Sequence, residues 1–206
     1  MKISLRAAAA LAAVALSTPA FAQQQQVSAG SRFGIGVGLP TEQGLLINAF
    51  DNIGFGPAAA PALYFPINVT PSFRLEPQIG RVSVSRDAGG GKGAVTDLGV
   101  GAFFVKALGP QVQVYVGPRL ILSWFSRTDP GPTPDKFKAR DTFFVAALGG
   151  EYLPHPRFAV GAEGQLGLVS IGDIEITDGV TGFKTEAAGG SATVLQGVLF
   201  VRVYLL

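Results

Sequence analysis

Phe73-Arg74-Leu75-Glu76-Pro77-Gln78-Ile79-Gly80 alternates strictly: Phe73, Leu75 and Ile79 fall on one face, and Arg74, Glu76 and Gln78 on the other. A period of two is that of a β-strand with two different environments. The same alternation stands upstream in Arg32-Phe33-Gly34-Ile35-Gly36-Val37-Gly38-Leu39, with glycine or arginine between the apolar residues. Working outward from these two stretches, the chain offers eight strand candidates: Val27–Leu39, Ala58–Ile67, Ser72–Arg86, Val95–Lys106, Gln111–Ser126, Arg140–Leu153, Arg157–Ser170 and Ser191–Leu206.

The connections between them alternate in length. Asn68–Pro71, Ala107–Pro110 and Pro154–Pro156 read as short, proline-marked turns, whereas Pro40–Pro57, Asp87–Ala94, Arg127–Ala139 and Ile171–Gly190 are longer and polar or rich in glycine and proline. An up-and-down meander has this property when one rim carries tight turns and the other long loops, as in outer-membrane barrels. Eight tilted strands of about ten residues suffice to close and to span a bilayer.

The two faces identify the solvent outside. The apolar face includes Leu98, Val100, Ala102 and Phe104 in one strand, Val116, Leu120, Leu122 and Trp124 in another, and Leu199, Val201, Val203 and Leu205 in the last, with no charge among them. The opposite face holds Arg32, Arg74, Arg119 and Arg202 against Glu76, Asp97, Glu151 and Glu163, among glutamines and many glycines. An eight-stranded barrel leaves an interior just wide enough for side chains. Glycines at Gly34, Gly36, Gly38, Gly99, Gly101, Gly161 and Gly167 fit that narrow space beside long charged side chains. The polar face is therefore expected inside, charge paired with charge, and the apolar face against lipid. The competing arrangement is a soluble sandwich with these charges on its solvated face; it leaves the apolar face without cover.

Aromatic residues gather at strand ends. Phe33, Phe65, Phe73, Phe104, Tyr152 and Phe158 lie toward the short turns or the N-terminus, and Trp124, Phe125, Phe143 and Phe144 beside the third long loop. Two girdles, one per interface, are the reading this supports.

Composition agrees and removes other classes. Of 206 residues, 28 are Gly and 14 Pro, too many for a helical bundle, and the absence of Cys excludes disulfide scaffolds and thiolate chemistry. Mean hydropathy is +0.37, yet beyond the first 22 residues there is no apolar run of the roughly 18 residues that a spanning helix needs. Residues 1–22 read as a signal peptide: Lys2 and Arg6, an apolar run from Ala7 to Leu16, then Ala20-Phe21-Ala22 before Gln23. Residues 23–30 read as a short leader and 31–206 as the barrel. Removing Lys2 and Arg6 turns 16 basic residues against 14 acidic into 14 against 14, so the formal charge of +2 is expected to vanish on processing.

The segments Pro66–Gly80, Tyr115-Val116-Gly117-Pro118-Arg119-Leu120 and Leu148-Gly149-Gly150-Glu151-Tyr152 resemble the outer-membrane protein β-barrel domain family, the OmpA/OmpX-like eight-stranded barrels. The resemblance spans Val27 to Leu206. It implies an all-β, eight-stranded antiparallel up-and-down transmembrane barrel, exported to the outer membrane. Its members range from structural barrels to adhesion, surface-defence and small-solute proteins, so it implies no particular activity. The chain departs from the family at its end, Val203-Tyr204-Leu205-Leu206, where members usually close on an aromatic residue.

Sites of chemistry are scarce. His155, the single histidine, lies between two prolines with no convergent carboxylate or serine for a triad or metal centre. Gly89-Gly90-Gly91-Lys92-Gly93 lacks the following Ser or Thr of a phosphate loop and leads into a strand, so it reads as a hairpin loop. Asn68-Val69-Thr70 matches a glycosylation sequon of little weight in a periplasmic turn. Asp173, Glu175 and Asp178 read as solvating acids before a cation site. Arg127, Lys136, Lys138 and Arg140 form the one basic loop cluster, a solvated loop first and a lipopolysaccharide contact second.

The expectation is a monomeric barrel without catalytic residues, metal or other cofactor, plugged by ion pairs, with a structural or surface-interaction role in the envelope. Its partners would be membrane lipid, lipopolysaccharide and, during insertion, the assembly machinery, with no nucleic acid. A narrow pore or conduit for small or hydrophobic solutes and a lipid-modifying enzyme are the two alternatives.

Overall fold

The computed structural model describes residues 33–40, 61–85 and 91–205. The signal segment 1–22, the leader, Arg32, the first long loop up to residue 60, the glycine run up to Gly90 and Leu206 lie outside them. The elements are β1 (Phe33–Pro40), β2 (Ala62–Tyr64), β3 (Ile67–Thr70), β4 (Phe73–Ser85), β5 (Lys92–Ala107), β6 (Val112–Thr128), β7 (Lys136–His155), β8 (Phe158–Ile171), β9 (Ile174–Thr177), β10 (Lys184–Ala187) and β11 (Gly190–Leu205).

Every pairing is antiparallel, and the sheet closes on itself. β4 pairs β5, β5 pairs β6, β6 pairs β7, β7 pairs β8, β8 pairs β11 and β11 pairs β1, which returns to β4 through β2 and β3. Counting β2 and β3 as one staved position gives eight strands around the barrel. Closure leaves no unpaired edge in the membrane, which is the condition for a sheet to lie in lipid.

Burial alternates residue by residue, as the period demands: β1 reads exposed at Phe33, Ile35 and Val37 and buried at Gly34, Gly36 and Gly38. The exposed outer face is apolar across β1, β4–β8 and β11, including Leu98, Val116, Leu120, Leu148, Leu166, Leu199 and Val201. From Tyr152 to Phe144 on β7 this face rises by about 21 Å for a strand tilted about 40°, close to the height of a lipid-facing band. A soluble protein does not expose such a belt around its whole girth. The chain is an integral membrane barrel of the outer-membrane type.

Five local expectations change, among them the single strand Ala58–Ile67, which is interrupted between Tyr64 and Ile67. Asn68–Pro71 is not a four-residue turn: Ile67–Thr70 is strand β3, paired with β4, and only Pro71 and Ser72 turn. β2 and β3 are separate because Pro66 has no N–H to give the ladder; its carbonyl still accepts from Gly34 N–H at 2.9 Å, so the seam stays closed. His155 belongs to β7, opposite Phe158, and the turn is Pro156-Arg157. The third long loop is shorter, because β6 and β7 remain paired out to Thr128 and Lys136, beyond the membrane. The fourth contains a hairpin, β9–β10, whose Ile174 and Ile176 alternate with Glu175 and Thr177 and whose β9 extends the sheet from Lys136, Phe137 and Lys138 of β7.

The girdles also need correction. Adjacent residues in a strand point to opposite faces, so Phe125 and Phe143 turn inward beside outward Trp124 and Phe144. At the short-turn rim Phe73 and Phe104 meet edge to face, with ring centroids 6.0 Å apart.

Candidate functional site

The inward residues of the short-turn half form one continuous chain of charges. Arg74 pairs with Glu151, Glu151 with Arg202, Arg202 with Glu76 at 2.5 Å, Glu76 with Arg119 at 2.8 Å, and Arg119 with Glu163 at 3.0 Å. The order is Arg–Glu–Arg–Glu–Arg–Glu, so each inner member has an opposite charge on both sides. All six are essentially removed from solvent, Arg74, Glu76 and Arg119 at 0% exposure.

Strand register explains how residues on non-adjacent strands meet. Gly101 lies level with both Glu76 on β4 and Arg119 on β6. A Cβ there would collide with the Phe103 ring, so the glycine leaves room for the ring on which the Arg119 guanidinium lies. Gly149 stands in the same relation between Tyr115 and Glu163, and the Tyr115 hydroxyl donates to Glu163 Oε2 at 2.7 Å. A Cβ on Gly149 would run into the Tyr115 ring, and one on Gly36 would sit 2.6 Å from Arg202 Cγ. The lumen glycines are gaps cut for specific neighbours.

Hydrogen bonds complete the chain. The Tyr204 hydroxyl donates to Glu151 Oε2 at 2.7 Å, Gln165 Nε2 to Glu163 Oε1 at 2.6 Å, Arg119 Nη1 to Gln78 Oε1 at 2.5 Å, and Arg74 Nε to Asn68 Oδ1 at 3.0 Å. Aromatic rings fill the remaining space. Arg119 lies 5.1 Å from the Tyr64 centroid and 5.0 Å from that of Phe103, and Arg202 lies 4.0 Å from Phe200. A planar guanidinium can stack on rings while its edge serves two carboxylates, which a lysine ammonium cannot do. Tyr64, Phe103, Tyr115, Phe200 and Tyr204 were not singled out from the sequence; their parity with the polar face is the signal that they point inward.

The structure thus brings six of the eight interior residues together. Arg32 lies outside the described residues. Asp97 faces the interior but stands apart from the chain, level with Ser123 on β6, which is in turn level with Asp141 on β7. That outer half of the lumen is otherwise packed by Val145, Val169 and Val194, with Phe143, Ile171 and Ala192 against them.

Glu151 is held by Arg74, Arg202 and the Tyr204 hydroxyl, Glu163 by Arg119, the Tyr115 hydroxyl and the Gln165 amide, and Glu76 by Arg119 and Arg202. His155 lies at the short-turn rim, its Nδ1 accepting the Arg157 N–H at 3.1 Å. The acids of the fourth loop are engaged in building it. Asp173 accepts from Gly189 N–H at 2.9 Å, and Glu175 pairs with Lys184 at 3.1 Å. Asp178 accepts from the N–H groups of Thr181 and Val180 and from the Thr181 hydroxyl. Those bonds, Thr181 N–H foremost, hold the Asp178 carboxyl below the usual range.

No protein-family model matches the chain, and no curated protein sequence matches it significantly. Solved structures do resemble it. A major outer membrane protein of Thermus thermophilus is similar with a TM-score of 0.52 at 13% identity, over 85% of this chain and 100% of that one. Neisserial surface protein A is similar at a TM-score of 0.48 and 16% identity, over 85% and 98%. The outer membrane protease OmpT of Escherichia coli is similar at 0.38 and 12%, over 70% of this chain and 63% of that one. At 13% identity the likeness to the Thermus protein is one of fold, that of an outer-membrane barrel.

Proposed function

We propose that the chain is a closed, non-conducting and non-catalytic barrel, monomeric in the outer membrane, that serves the envelope through its lipid-embedded body and its outward-projecting sheet. One observation carries this reading: the charge chain from Arg74 to Glu163 fills the short-turn half of the lumen with side chains that solvent does not reach. A conduit needs an open path, and a general acid or base needs access to a substrate. The extended β6–β7 pair and the β9–β10 hairpin, with Val180 and Phe183 exposed at its tip, supply a surface on the other side.

The test has two arms. Liposomes holding the refolded protein should swell in small sugars no faster than protein-free vesicles, and deletion of the gene should leave the lipid A mass spectrum unchanged. Faster swelling supports a conduit, and a lipid A species lost on deletion supports a lipid-modifying enzyme; either overturns the proposal.

A further inference from the structure

Above the outer girdle the strands β4 to β7 sort their charges by face. The outward positions there include five exposed cations: Arg81 on β4, Lys92 on β5, and Lys136, Lys138 and Arg140 on β7. The others are Ser83, Ser85, Ala94, Thr96, Trp124, Ser126 and Thr128, and no carboxylate stands among these described positions. The carboxylates of the same strand segments, Asp97 and Asp141, point inward. A merely solvated surface mixes both signs. Next to β7, the paired outward residues Ser170 of β8 and Ser191 of β11, level with Thr142, are uncharged.

Register sets the layout. Arg81, Thr96, Trp124 and Arg140 form one row, and Ser85, Lys92, Thr128 and Lys136 another. With about 4.8 Å between strands and about 6.8 Å between successive outward residues, the patch measures about 14 Å each way. Arg140 lies two outward positions beyond lipid-facing Phe144, and its guanidinium sits 5.5 Å from the Trp124 ring centroid. The patch therefore begins where hydrocarbon ends. Its neighbours are accounted for: Glu175, level with Lys138, is paired to Lys184, Glu186 lies one strand further out, and inward Arg127 pairs with Asp129.

We propose that this face binds the phosphorylated sugar headgroup of an outer-leaflet glycolipid. The inference rests on the membrane-barrel reading and adds a site to it. Arg81, Lys92, Lys136 and Arg140 have no carboxylate level with them among the described residues, and Glu175 beside Lys138 is held by Lys184. On a wall rising out of the apolar belt these cations meet phosphates at headgroup depth, and the patch matches a disaccharide carrying phosphate at both ends. Arginine and lysine both serve such a ligand, Arg140 as a fork held over Trp124 and the lysines as point charges.

Trp124 is the single tryptophan of the chain, so its fluorescence reports on the site. The refolded protein in detergent would be titrated with bisphosphorylated lipid A, fully dephosphorylated lipid A, phosphatidylglycerol and inorganic pyrophosphate, with native mass spectrometry counting bound lipid. Bisphosphorylated lipid A should give saturable binding, and each of the others should bind roughly tenfold or more weakly. Lys136→Gln/Lys138→Gln/Arg140→Gln should lower lipid A affinity roughly tenfold or more by mass spectrometry. Lys106→Gln/Arg157→Gln at the opposite rim should leave it unchanged. Lys136→Gln/Lys138→Gln, which spares the contact with Trp124, serves if the triple variant does not refold. Equal affinity for dephosphorylated lipid A or phosphatidylglycerol, pyrophosphate binding as tightly, or variants within twofold of wild type would overturn the proposal. Heat-modifiable migration and liposome insertion are scored separately, because their loss in wild type would overturn the barrel reading itself.

Discussion

Inside the short-turn half of the barrel, three arginines are each bound to glutamate and covered by rings. On the outer face of β4 to β7, five cations stand exposed, three of them lysine. The difference teaches what partnership does to a charge. A buried guanidinium between two carboxylates is committed to the fold, because removing it leaves charges in a dry interior. A cation with water on one side and no carboxylate beside it contributes little to folding and remains available to a ligand. The residue types follow the same division. Arginine, with its flat and forked head, occupies every cationic position of the lumen chain.

Substitutions can break or sharpen this contrast. Arg202→Met should have the largest effect, since it takes one of two guanidinium partners from both Glu76 and Glu151 and leaves the dry interior with one negative charge in excess: a loss of about 3–5 kcal/mol, measured by urea unfolding of the refolded barrel followed by gel mobility. Adding Glu76→Gln to it should recover part of that loss, because the excess negative charge goes while Arg74 keeps Glu151 and Arg119 keeps Glu163. Arg119→Lys keeps the charge but forfeits the fork and the stacking on Tyr64 and Phe103, and should cost about 2–3 kcal/mol on the same assay. Gly149→Ala, pushing a methyl into the Tyr115 ring, should cost about 1–3 kcal/mol. Lys136→Gln and Lys138→Gln should each change stability by no more than about 0.5 kcal/mol. A cost comparable to that of Arg202→Met would erase the distinction between the two regions.

The mildest effect belongs to the hairpin. The Asp178 carboxyl is held below its ordinary value of 3.8 by donors from Thr181 and Val180. A lowered pKa in the folded hairpin means the contribution is full above pH 3.8 and is lost as pH falls through the lower, folded value. Amide exchange at Thr181 should therefore accelerate only below the ordinary carboxylate range, and Asp178→Asn, which has no proton to gain there, should abolish that pH dependence while leaving barrel mobility unchanged.

How much of this was legible in the sequence depended on whether a feature is local. Alternation in Phe73–Gly80 and Arg32–Leu39 is a property of a few neighbouring residues, and it was enough to separate the lipid face from the lumen. The identity of the lumen charges was readable for the same reason. Their partners were not: Arg119 reaches Glu76 across Gly101, and that depends on the stagger between three strands. Asp97 shows the limit, since parity placed it inside while register set it two strands from Asp141 and away from every guanidinium of the chain. The β9–β10 hairpin was missed because four-residue strands are too short for periodicity to stand out, and the acids that shape it read equally well as loop solvation. Phe125 and Phe143 misled because nearness to a rim says nothing of which face a residue takes.

Closure of the lumen by the paired charge chain, as proposed, is open to measurement as ionic current through planar bilayers. With the wild-type barrel inserted in a confirmed orientation, the trace should stay at the level of the bare bilayer across a wide voltage range. Discrete, reproducible conductance steps from wild-type protein would contradict it.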